Sequence, residues 1–546
     1  MLQRKETIDC DVLVIGGGGA GLRSAIAARS NDVDVLIVSK SGSGHATNTS
    51  ISKAVIASSG WGVPEDNPAV HAADTIEGGR FLNDQAMVAA IAEGASAEIA
   101  FLQECGVNLG MEGGKFRLLK IGGHRYPRHV YGKNWIGSDL VTPLIQRAKQ
   151  AGVRFEEHVF ITRLLASEGR ITGATGITRD GDFLAIQAKT VILATGGYAQ
   201  IFLNTNNAAG ITGDGQALSY DLGVPLKDME FIQFYPTATG KRGGRILLYE
   251  NLLPRKGVVL RNGDGEDIIK KNGITDPTSL TRDQLAQLVI KEIEHGRTGK
   301  QSVFMDTETL SEETAGQLTQ LLPSSWWKGQ KTYEVAPTAH FCMGGIVTDR
   351  WGETSLSGLF SAGETTGGAH GANRLGGNAL AEIFAMGTLA GTKAARQSME
   401  IGATPSIHEA AEDERLRLDK TFSAQGSSPS KLIKQLKTLM WRKVGIIREK
   451  SELEEAYRLI QGPWPAAAVA DCADLIKLLE FNNMRLVAEM VCTAALERTE
   501  SRGSHFRADY PGEDNERWLK NIVLRKGDTG MRVETVPVSG DITKPV

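Results

Sequence analysis

A glycine-rich segment near the start of the chain lies between two short apolar runs, and it constrains the fold more than any other feature. The apolar runs are residues 12–15 and 33–38, and Gly16, Gly18 and Gly21 between them have GxGxxG spacing. This order predicts a strand, a tight turn, a helix and a second strand. In such a βαβ unit the first glycine makes the turn, the second admits a pyrophosphate and the third lets the helix pack on the strand. The segment therefore predicts a dinucleotide site at a helix N-terminus.

A second glycine-rich run, residues 358–380, contains an acidic residue, Glu364, and an arginine, Arg374. Because glycines let the backbone approach a bound ligand closely, such a run is typical of a cofactor site or of a hairpin turn. The GxGxxG unit at the other end of the chain favours the cofactor site. That unit departs from the usual pattern at one point, since its second strand ends in Ser39 and Lys40 rather than in an acidic residue. The ribose contact is therefore not the usual carboxylate.

The composition is that of an ordinary soluble globular protein. The 546 residues are 41% hydrophobic with a formal net charge of −3, and no cluster of lysine and arginine predicts a nucleic-acid surface. No run of about 18 apolar residues predicts a membrane span, and the N-terminus leads into the first strand without room for a signal peptide. We therefore expect a cytoplasmic protein of several domains that meets the inner face of a membrane only through partner subunits.

The five cysteines are scattered and form no CxxC pair; they are Cys10, Cys105, Cys342, Cys472 and Cys492. This spacing predicts neither a zinc ribbon nor an iron–sulfur cluster held by the chain itself, and no metal site is expected. It fits a reducing compartment. A redox cofactor bound here would therefore exchange electrons with something outside the chain.

The residue pattern divides the chain into regions. Residues 1–225 and 336–400 alternate apolar strands with amphipathic helices, which is typical of an α/β fold. Residues 226–335 mix short strands, turns and helices, and this change of pattern predicts an inserted domain. Helical periodicity dominates residues 405–515. The last stretch, 501–546, is polar and rich in turns, and we expect it to wrap the surface.

Long motifs along nearly the whole chain are similar to those of one enzyme family. They are GGGGAGLRSA from residue 16, TGDG at 212–215, DMEFIQFYPT at 228–237, TRD at 281–283, PTAHFCMGG at 337–345, HGANRLGGN at 370–378 and RTESRGSH at 498–505. The chain thereby resembles the flavoprotein subunit of the succinate dehydrogenase/fumarate reductase family, which includes L-aspartate oxidase and soluble fumarate reductases. The resemblance implies a two-dinucleotide-binding-type FAD domain (1–225 and 336–400), an inserted α+β capping domain (226–335), a C-terminal helical domain (405–515) and a tail (516–546).

The resemblance assigns the chemistry to four residues. Arg374 would bind a substrate carboxylate through its guanidinium fork, and His340 would donate to the other carboxylate oxygen. Arg282 would give or take the proton at the carbon next to the carboxylate, while a hydride moves between flavin N5 and the substrate. Glu250 would relay that proton.

The resemblance also implies FAD as the cofactor. Its predicted contacts are Gly16, Gly18, Gly19, Ala20, Gly21, Ser39, Lys40, Thr47, Thr195, Gly196, Asp214, Glu364, Asn378, Ala379 and Leu380. Relatives that bind FAD covalently have a histidine where this chain has Thr47, although His45 lies two residues earlier. We therefore expect the FAD to be noncovalent, while a link through His45 stays open.

Three substitutions separate this chain from the family pattern on the substrate side. Tyr235 replaces the histidine of a QFHPT motif, Tyr249 replaces a threonine before Glu250, and Leu253 replaces the arginine three residues after that glutamate. Two tyrosines in place of smaller or cationic donors indicate a substrate that differs from fumarate in shape or charge. The loss of the arginine breaks or reroutes the outer part of the proton relay.

A histidine-containing loop, GGHRYPRHVY from residue 122, corresponds to a substrate-side glycine loop in the family. Gly123 and His124 are therefore predicted substrate contacts, and His129 is a further candidate. Each histidine by itself also fits a buried structural role.

The leading interpretation is an FAD-dependent oxidoreductase, the catalytic flavoprotein subunit of a fumarate reductase/succinate dehydrogenase-like complex. An iron–sulfur subunit is the expected partner, because the RTESRGSH region is typical of members that dock one. The alternatives are the same chemistry on another unsaturated acid or thioester, and an enzyme like L-aspartate oxidase. A non-catalytic flavin electron-transfer subunit is disfavoured, because electron transfer alone needs no carboxylate fork.

Overall fold

The computed structural model of the protein describes residues 2–239, 246–247, 253, 255, 257–277, 280–296, 302–319 and 331–538. The strands within these residues are β1 Gln3–Arg4, β2 Ile8–Ile15, β3 Val35–Ser39, β4 Val55–Ala57, β5 Met111–Glu112, β6 Lys115–Phe116, β7 His129–Tyr131, β8 Arg154–Glu157, β9 Val159–Ser167, β10 Arg170–Thr178, β11 Asp182–Leu193, β12 Leu226–Lys227, β13 Ile232–Thr239, β14 Ile246–Leu247, β15 Val259–Arg261, β16 Val303–Asp306, β17 Thr332–Cys342, β18 Gly345–Ile346, β19 Leu359–Ser361, β20 Lys520–Gly527 and β21 Gly530–Pro537. The helices are α1 Gly19–Arg29, α2 Asn48–Ile51, α3 Pro68–Gly78, α4 Gln85–Glu104, α5 Ser138–Gln150, α6 Asp214–Asp221, α7 Ile268–Lys271, α8 Arg282–His295, α9 Glu312–Thr319, α10 Asn378–Glu400, α11 His408–Asp419, α12 Pro429–Lys443, α13 Lys450–Gln461, α14 Cys472–Glu497 and α15 Asn515–Trp518.

The largest described sheet carries the predicted βαβ unit. Its strand order is β8-β3-β2-β11-β10-β9, with β1 and β19 also paired to β11. β2 lies parallel to both β3 and β11, and α1 connects it to β3. Residues 12–15 in β2 are buried, because helices α1 and α10 cover one face of the parallel part of this mixed sheet and apolar residues pack on the other. The predicted α/β fold is confirmed, although β3 begins two residues later than the apolar run suggested.

A second sheet, of order β14-β13-β17-β16-β15, lies mostly within residues 226–335, the predicted inserted domain. Helix α8 packs against β13 and β17 of this sheet. The domain boundary predicted between residues 335 and 336 falls inside β17. The same strand therefore begins in the inserted sheet and extends to the nucleotide-binding layer.

The C-terminal part is helical from α11 to α14 and then returns to strands. β20 and β21 form a hairpin that joins β12 and β18 in a sheet of order β18-β12-β20-β21. The expectation that residues 501–546 wrap the surface is wrong for their first part. Arg502, His505 and Arg507 are each at most 2% exposed, because Glu500 and Asp509 pair with the two arginines.

One described helix, α4, is long and apolar enough to cross a membrane by length and composition alone. In this fold α4 packs against α3 and α10. It also carries Glu98, which forms a buried ion pair with Arg23 of α1 at 2.6 Å. Such packing is typical of a core helix.

Candidate active site

A deep cleft opens between the glycine turn after β2, the end of β17 and the start of α10. Thirteen of the predicted cofactor contacts line it: Gly16, Gly18, Gly19, Ala20, Ser39, Lys40, Thr47, Thr195, Gly196, Asp214, Glu364, Ala379 and Leu380. Four predicted catalytic or substrate residues line the same cleft, namely Tyr235, Arg282, His340 and Arg374. The predicted cofactor contacts and the predicted catalytic residues therefore share one continuous space.

The three glycines of the turn have different surroundings. A Cβ on Gly16, whose φ is +124°, would lie 2.2 Å from the Ala194 carbonyl oxygen, and one on Gly21 would lie 1.9 Å from the Gly16 carbonyl oxygen. A Cβ on Gly18 would meet nothing closer than Thr47 at 3.8 Å. Gly16 and Gly21 thus permit close packing of strand and helix, whereas Gly18 leaves room inside the cleft for a ligand.

Lys40 is held in the cleft wall by two acidic side chains. Its Nζ lies 2.7 Å from Asp214 Oδ2 and 3.0 Å from Glu480 Oε1. Burial by itself would lower the pKa of Lys40, but the two carboxylates outweigh burial and raise it. Lys40 is therefore a fixed positive charge at the end of β3, where the usual dinucleotide site has an acidic residue. Glu480 comes from α14 and has no sequence signal that connects it with the cleft.

Glu364 connects β17 to α2 beneath the cleft. Its carboxylate accepts a hydrogen bond from the Cys342 backbone N–H at 3.0 Å and one from Asn48 Nδ2 at 3.1 Å. Burial raises the pKa of Glu364 to about 7, and these two donors work against that rise. Asn48 also donates to Asn207 at 2.6 Å. Sequence reasoning missed both asparagines, which lack a motif of their own.

The predicted catalytic side chains converge from three separate elements. Arg282 is the first residue of α8, whose N-cap, Thr281, accepts a hydrogen bond from the Gln284 N–H. The Arg282 guanidinium carbon lies 5.0 Å from the centre of the Tyr235 ring, on β13. The Tyr235 and His340 rings lie edge to face at 5.4 Å, since β13 and β17 are paired. His340 thus comes from β17, and Arg374 comes from the loop before α10.

Arg374 is fixed by its neighbours before any substrate arrives. Its Nη2 donates to Gln233 Oε1 at 3.0 Å, and its guanidinium carbon lies 4.6 Å from the centre of the Phe341 ring. Burial and the nearby Arg282 lower the pKa of Arg374 to about 9. The guanidinium still carries its charge at neutral pH, and it would be stabilised by an anion in the cleft.

His340 is a neutral donor in this environment. Burial, together with Arg374 and Arg282, holds the pKa of His340 well below its usual value. His340 Nδ1 lies 3.0 Å from Asn206 Nδ2 and 3.2 Å from Asn206 Oδ1, and Asn206 Oδ1 accepts from Asn207 Nδ2 at 3.3 Å. The Asn206 amide thus holds the ring through Nδ1, and the neutral imidazole lines the cleft.

Comparisons with known proteins agree with this geometry. The family model described as an FAD binding domain matches residues 11–380, and the one described as fumarate reductase flavoprotein C-term matches residues 433–545. One subunit of the fumarate reductase (CoM/CoB) of Methanothermobacter marburgensis is 34% identical over 95% of this chain and 98% of its own length. The chain belongs to the fumarate reductase/succinate dehydrogenase flavoprotein family. It is an FAD-dependent oxidoreductase, as the sequence predicted.

Other members of this flavoprotein family are similar along the whole chain. The fumarate reductase flavoprotein subunit of Mycobacterium tuberculosis is 33% identical over 98% of both chains. Among solved structures, the FrdA chain of a mutant E. coli quinol fumarate reductase superposes with a TM-score of 0.88 at 26% identity, over 99% of this chain and 98% of its own. Sdh1 of Mycobacterium smegmatis, in complex with UQ1, has a TM-score of 0.87 at 32% identity over 99% and 95%.

The cleft of this flavoprotein fits FAD. Gly18 is the N-cap of α1 and Gly377 is the N-cap of α10, and neither glycine provides a side-chain cap; Thr49 Oγ1 accepts only the Gly19 N–H, at 3.1 Å. Both glycines line the cleft. A helix N-terminus without a cap offers N–H groups and a partial positive charge to an anionic ligand. Together with the space around Gly18, these two helix starts suit the phosphates and the polar ring edge of a flavin dinucleotide.

Several predicted site residues of the flavoprotein lie elsewhere. Gly21 packs under the turn and does not line the cleft. The side chain of Asn378 points away, because its Nδ2 donates to Thr75 at 2.9 Å. His124 is 3% exposed and lies behind the cleft wall. This position does not agree with the prediction that His124 contacts the substrate. Gly123 packs against Leu375 instead, with φ at +89°.

The remaining predictions concern three positions of the capping region and one near the glycine turn. Tyr249 and Glu250 lie outside the described residues. Leu253 is 3% exposed within an apolar cluster, as fits a position that no longer carries a charge. Thr47 caps α2 and accepts from the Ser50 N–H; the noncovalent state of FAD stays a prediction.

Proposed function

We propose that this protein is the catalytic flavoprotein subunit of a complex that interconverts an α,β-unsaturated carboxylate and its saturated form. One observation carries the proposal: two guanidinium groups and a neutral imidazole, those of Arg282, Arg374 and His340, face a cleft that also holds the nucleotide residues. Buried positive charges of this kind favour an anionic ligand. The relatives named fumarate reductase support the same chemistry.

Arg374 and His340 would bind and polarise the carboxylate. The Arg374 fork matches two carboxylate oxygens, and Gln233 already holds it in place. With its proton on Nε2, His340 would donate to an oxygen on which negative charge develops. When bound, FAD supplies the hydride or accepts it.

Arg282 would deliver the proton to the carbon beside the carboxylate. Free arginine does not deprotonate in water, but a carbon that develops carbanion character is far more basic than water. The positive charge of Arg374 nearby also makes loss of a proton from Arg282 less costly. A structural arginine at the start of a helix would not need to line the cleft, as Arg282 does.

The substrate class is an unsaturated acid, with fumarate as the first candidate. Tyr235 favours a second candidate, an acid or thioester of another shape, because its phenol ring is fully buried beside Arg282 and His340. A tyrosine there provides one neutral donor and fills more space than the family's histidine.

The proposed partner is an iron–sulfur subunit. The relatives' names describe them as subunits, and the C-terminal region that matches the fumarate reductase model contains the RTESRGSH motif. We propose that the protein works in the cytoplasm, and that such a partner brings it to the inner face of the membrane.

A flavin reoxidation assay tests the proposed function. The holoprotein is photoreduced without oxygen, and fumarate, other unsaturated acids and enoyl thioesters are added while flavin absorbance is followed. We expect at least one acid to reoxidise the flavin. Arg282→Ala should lower that rate by a factor of about 10²–10⁴, the usual contribution of a general acid, with FAD retained.

Arg261→Ala is the matched control, because Arg261 lies in the same capping region and pairs with Asp306 at the surface. It should leave the rate unchanged. No reoxidation by any acid, or full activity of Arg282→Ala, would contradict the proposal. Hydrogen peroxide formed from L-aspartate would identify an aspartate oxidase instead.

A further inference from the structure

Two buried histidines hold one backbone carbonyl in the wall of the cleft. Nε2 of His124 and Nε2 of His129 each lie 3.0 Å from the Gly376 carbonyl oxygen. The two rings meet edge to face at 4.6 Å. Gly376 and Gly377 line the cleft, whereas the histidines stand behind them.

The hydrogen-bonding roles of the two rings follow from their partners. A carbonyl oxygen can only accept, so a ring nitrogen bonded to Gly376 must carry the proton. His124 Nδ1 is buried without a partner in the described structure, which leaves Nε2 as the donor. His129 Nδ1 also faces a carbonyl, that of Leu119 at 2.9 Å. Burial lowers the pKa of His124 to about 2 and of His129 to about 4, so each neutral ring has one N–H. His124 gives its N–H to Gly376, whereas His129 donates to Gly376 only in the tautomer that carries the proton on Nε2.

Holding this carbonyl sets the direction of the next N–H group. In a trans peptide the C=O and the N–H point to opposite sides. With the Gly376 oxygen turned toward the histidines, the Gly377 N–H points to the cleft side, and within the described residues it has no acceptor. Gly377 is also the N-cap of α10, with φ at +82°, so the positive end of that helix adds to the donor.

This donor lies next to the proposed proton donor. A Cβ built on Gly376 would lie 3.5 Å from Arg282 Nη2, and Arg374 is two residues before Gly376. An anionic oxygen bound by the two arginines would therefore come within reach of the Gly377 N–H. A rotated peptide would instead present the Gly376 carbonyl, which repels an anion.

We infer that His124, together with His129 in its Nε2–H tautomer, is a positioning residue of the proposed reaction, and that the two fix the Gly376–Gly377 peptide so that its N–H faces the substrate carboxylate. This inference rests on the proposed function and adds to it the device that orients one anion-binding group. Neither histidine contacts the substrate itself. Their effect is on how well the cleft binds a carboxylate.

Paired amide substitutions separate the hydrogen bond from simple packing. The amide nitrogen of glutamine can take the place of ring Nε2, while that of asparagine reaches only the place of ring Nδ1. His124→Gln and His129→Gln can therefore keep a donor to Gly376, and His124→Asn and His129→Asn cannot. His129→Asn still reaches Leu119, so it keeps the other contact of that ring. His408→Asn, at the exposed start of α11, is the control.

The readout is the dissociation constant of malonate, a dicarboxylate that cannot be reduced, measured from the flavin difference spectrum of the oxidised holoprotein. We expect both asparagine variants to bind malonate about 10-fold more weakly, which corresponds to a hydrogen bond of about 1.4 kcal/mol. The glutamine variants and the control should stay within about 2-fold of the unmodified protein. Flavin content shows that each variant is folded, and the two positions test the inference independently.

Three other results would contradict the inference, each for a different reason. Asparagine variants that bind malonate normally would overturn the positioning role. Equal losses in the asparagine and glutamine variants would show that the rings act through packing alone, which also overturns it. No response of the unmodified protein to malonate would count against the proposed function itself, and against the inference that rests on it.

Discussion

Tyr235 is the single residue that most changes the chemistry of the cleft relative to the family pattern. It is fully buried between Arg282 and His340, so its phenol cannot turn out toward solvent. A histidine at this position would be shorter and could carry a charge to a carboxylate. We therefore propose that this ring contributes to the choice of substrate.

Replacing Tyr235 by histidine should raise kcat/KM for fumarate. We expect an increase of roughly 10-fold over Tyr235→Phe, which keeps the ring and removes the donor, because a charge-assisted hydrogen bond is worth about 1.4 kcal/mol more than none. Steady-state reduction of fumarate by dye-reduced holoprotein measures it. Equal values for the histidine and phenylalanine variants would show that a donor at this position does not select the substrate.

At the scale of elements, the βαβ unit was predictable because its signals are local. Turn, helix and strands follow one another within about 30 residues, and the glycines act on their immediate neighbours. The structure shows that the glycines have different roles. Gly21 packs against Gly16, whereas Gly18 borders the space of the cleft. The burial of Arg502 and Arg507 was not predicted, although their acidic partners, Glu500 and Asp509, lie only two residues away. It depends on other segments, because Arg502 also donates to the Arg80 carbonyl and Arg507 to the Ala495 carbonyl.

Alanine substitutions test whether Gly18 serves ligand binding and Gly21 serves packing. Gly18→Ala should leave apoprotein unfolding unchanged, because its Cβ meets nothing within 3.8 Å, but weaken FAD binding at least about 10-fold by occupying the approach of the pyrophosphate. Gly21→Ala should instead destabilise the apoprotein by about 1–3 kcal/mol, the usual cost of overpacking. Urea unfolding and FAD fluorescence titration measure the two effects. Identical behaviour of both variants in both assays would contradict the assignment.

At the scale of the whole molecule, a buried ion network joins distant segments of the chain. Arg498 is fully buried, and its guanidinium lies 2.6 Å from Glu230 and 3.0 Å from Glu500. It also donates to the Trp518 carbonyl at 3.1 Å. The end of α14 is thereby tied to the segment before β13 and to the start of the C-terminal hairpin, and so to the strand that carries Tyr235.

Removing this arginine should destabilise the molecule strongly. Arg498→Met leaves buried carboxylates without their partner, and we expect a loss of about 3–5 kcal/mol in the free energy of unfolding. Arg525→Ala breaks an ion pair with Glu534 that is largely exposed and should cost at most about 1 kcal/mol. Urea unfolding of the holoprotein compares the two. Similar losses in both variants would mean that the network has no special role.

The sequence by itself determined the nucleotide layer, the family and the residue types of the site, because each of these is written in short motifs whose spacing acts locally. Only the tertiary structure decided which side chains meet. Arg282, His340 and Arg374 reach one cleft from three elements, while His124 and the Asn378 side chain turn behind its wall. Glu480 reaches Lys40 from far along the chain. Contacts of this kind depend on how whole elements pack, and spacing along the chain does not encode that packing in any short segment.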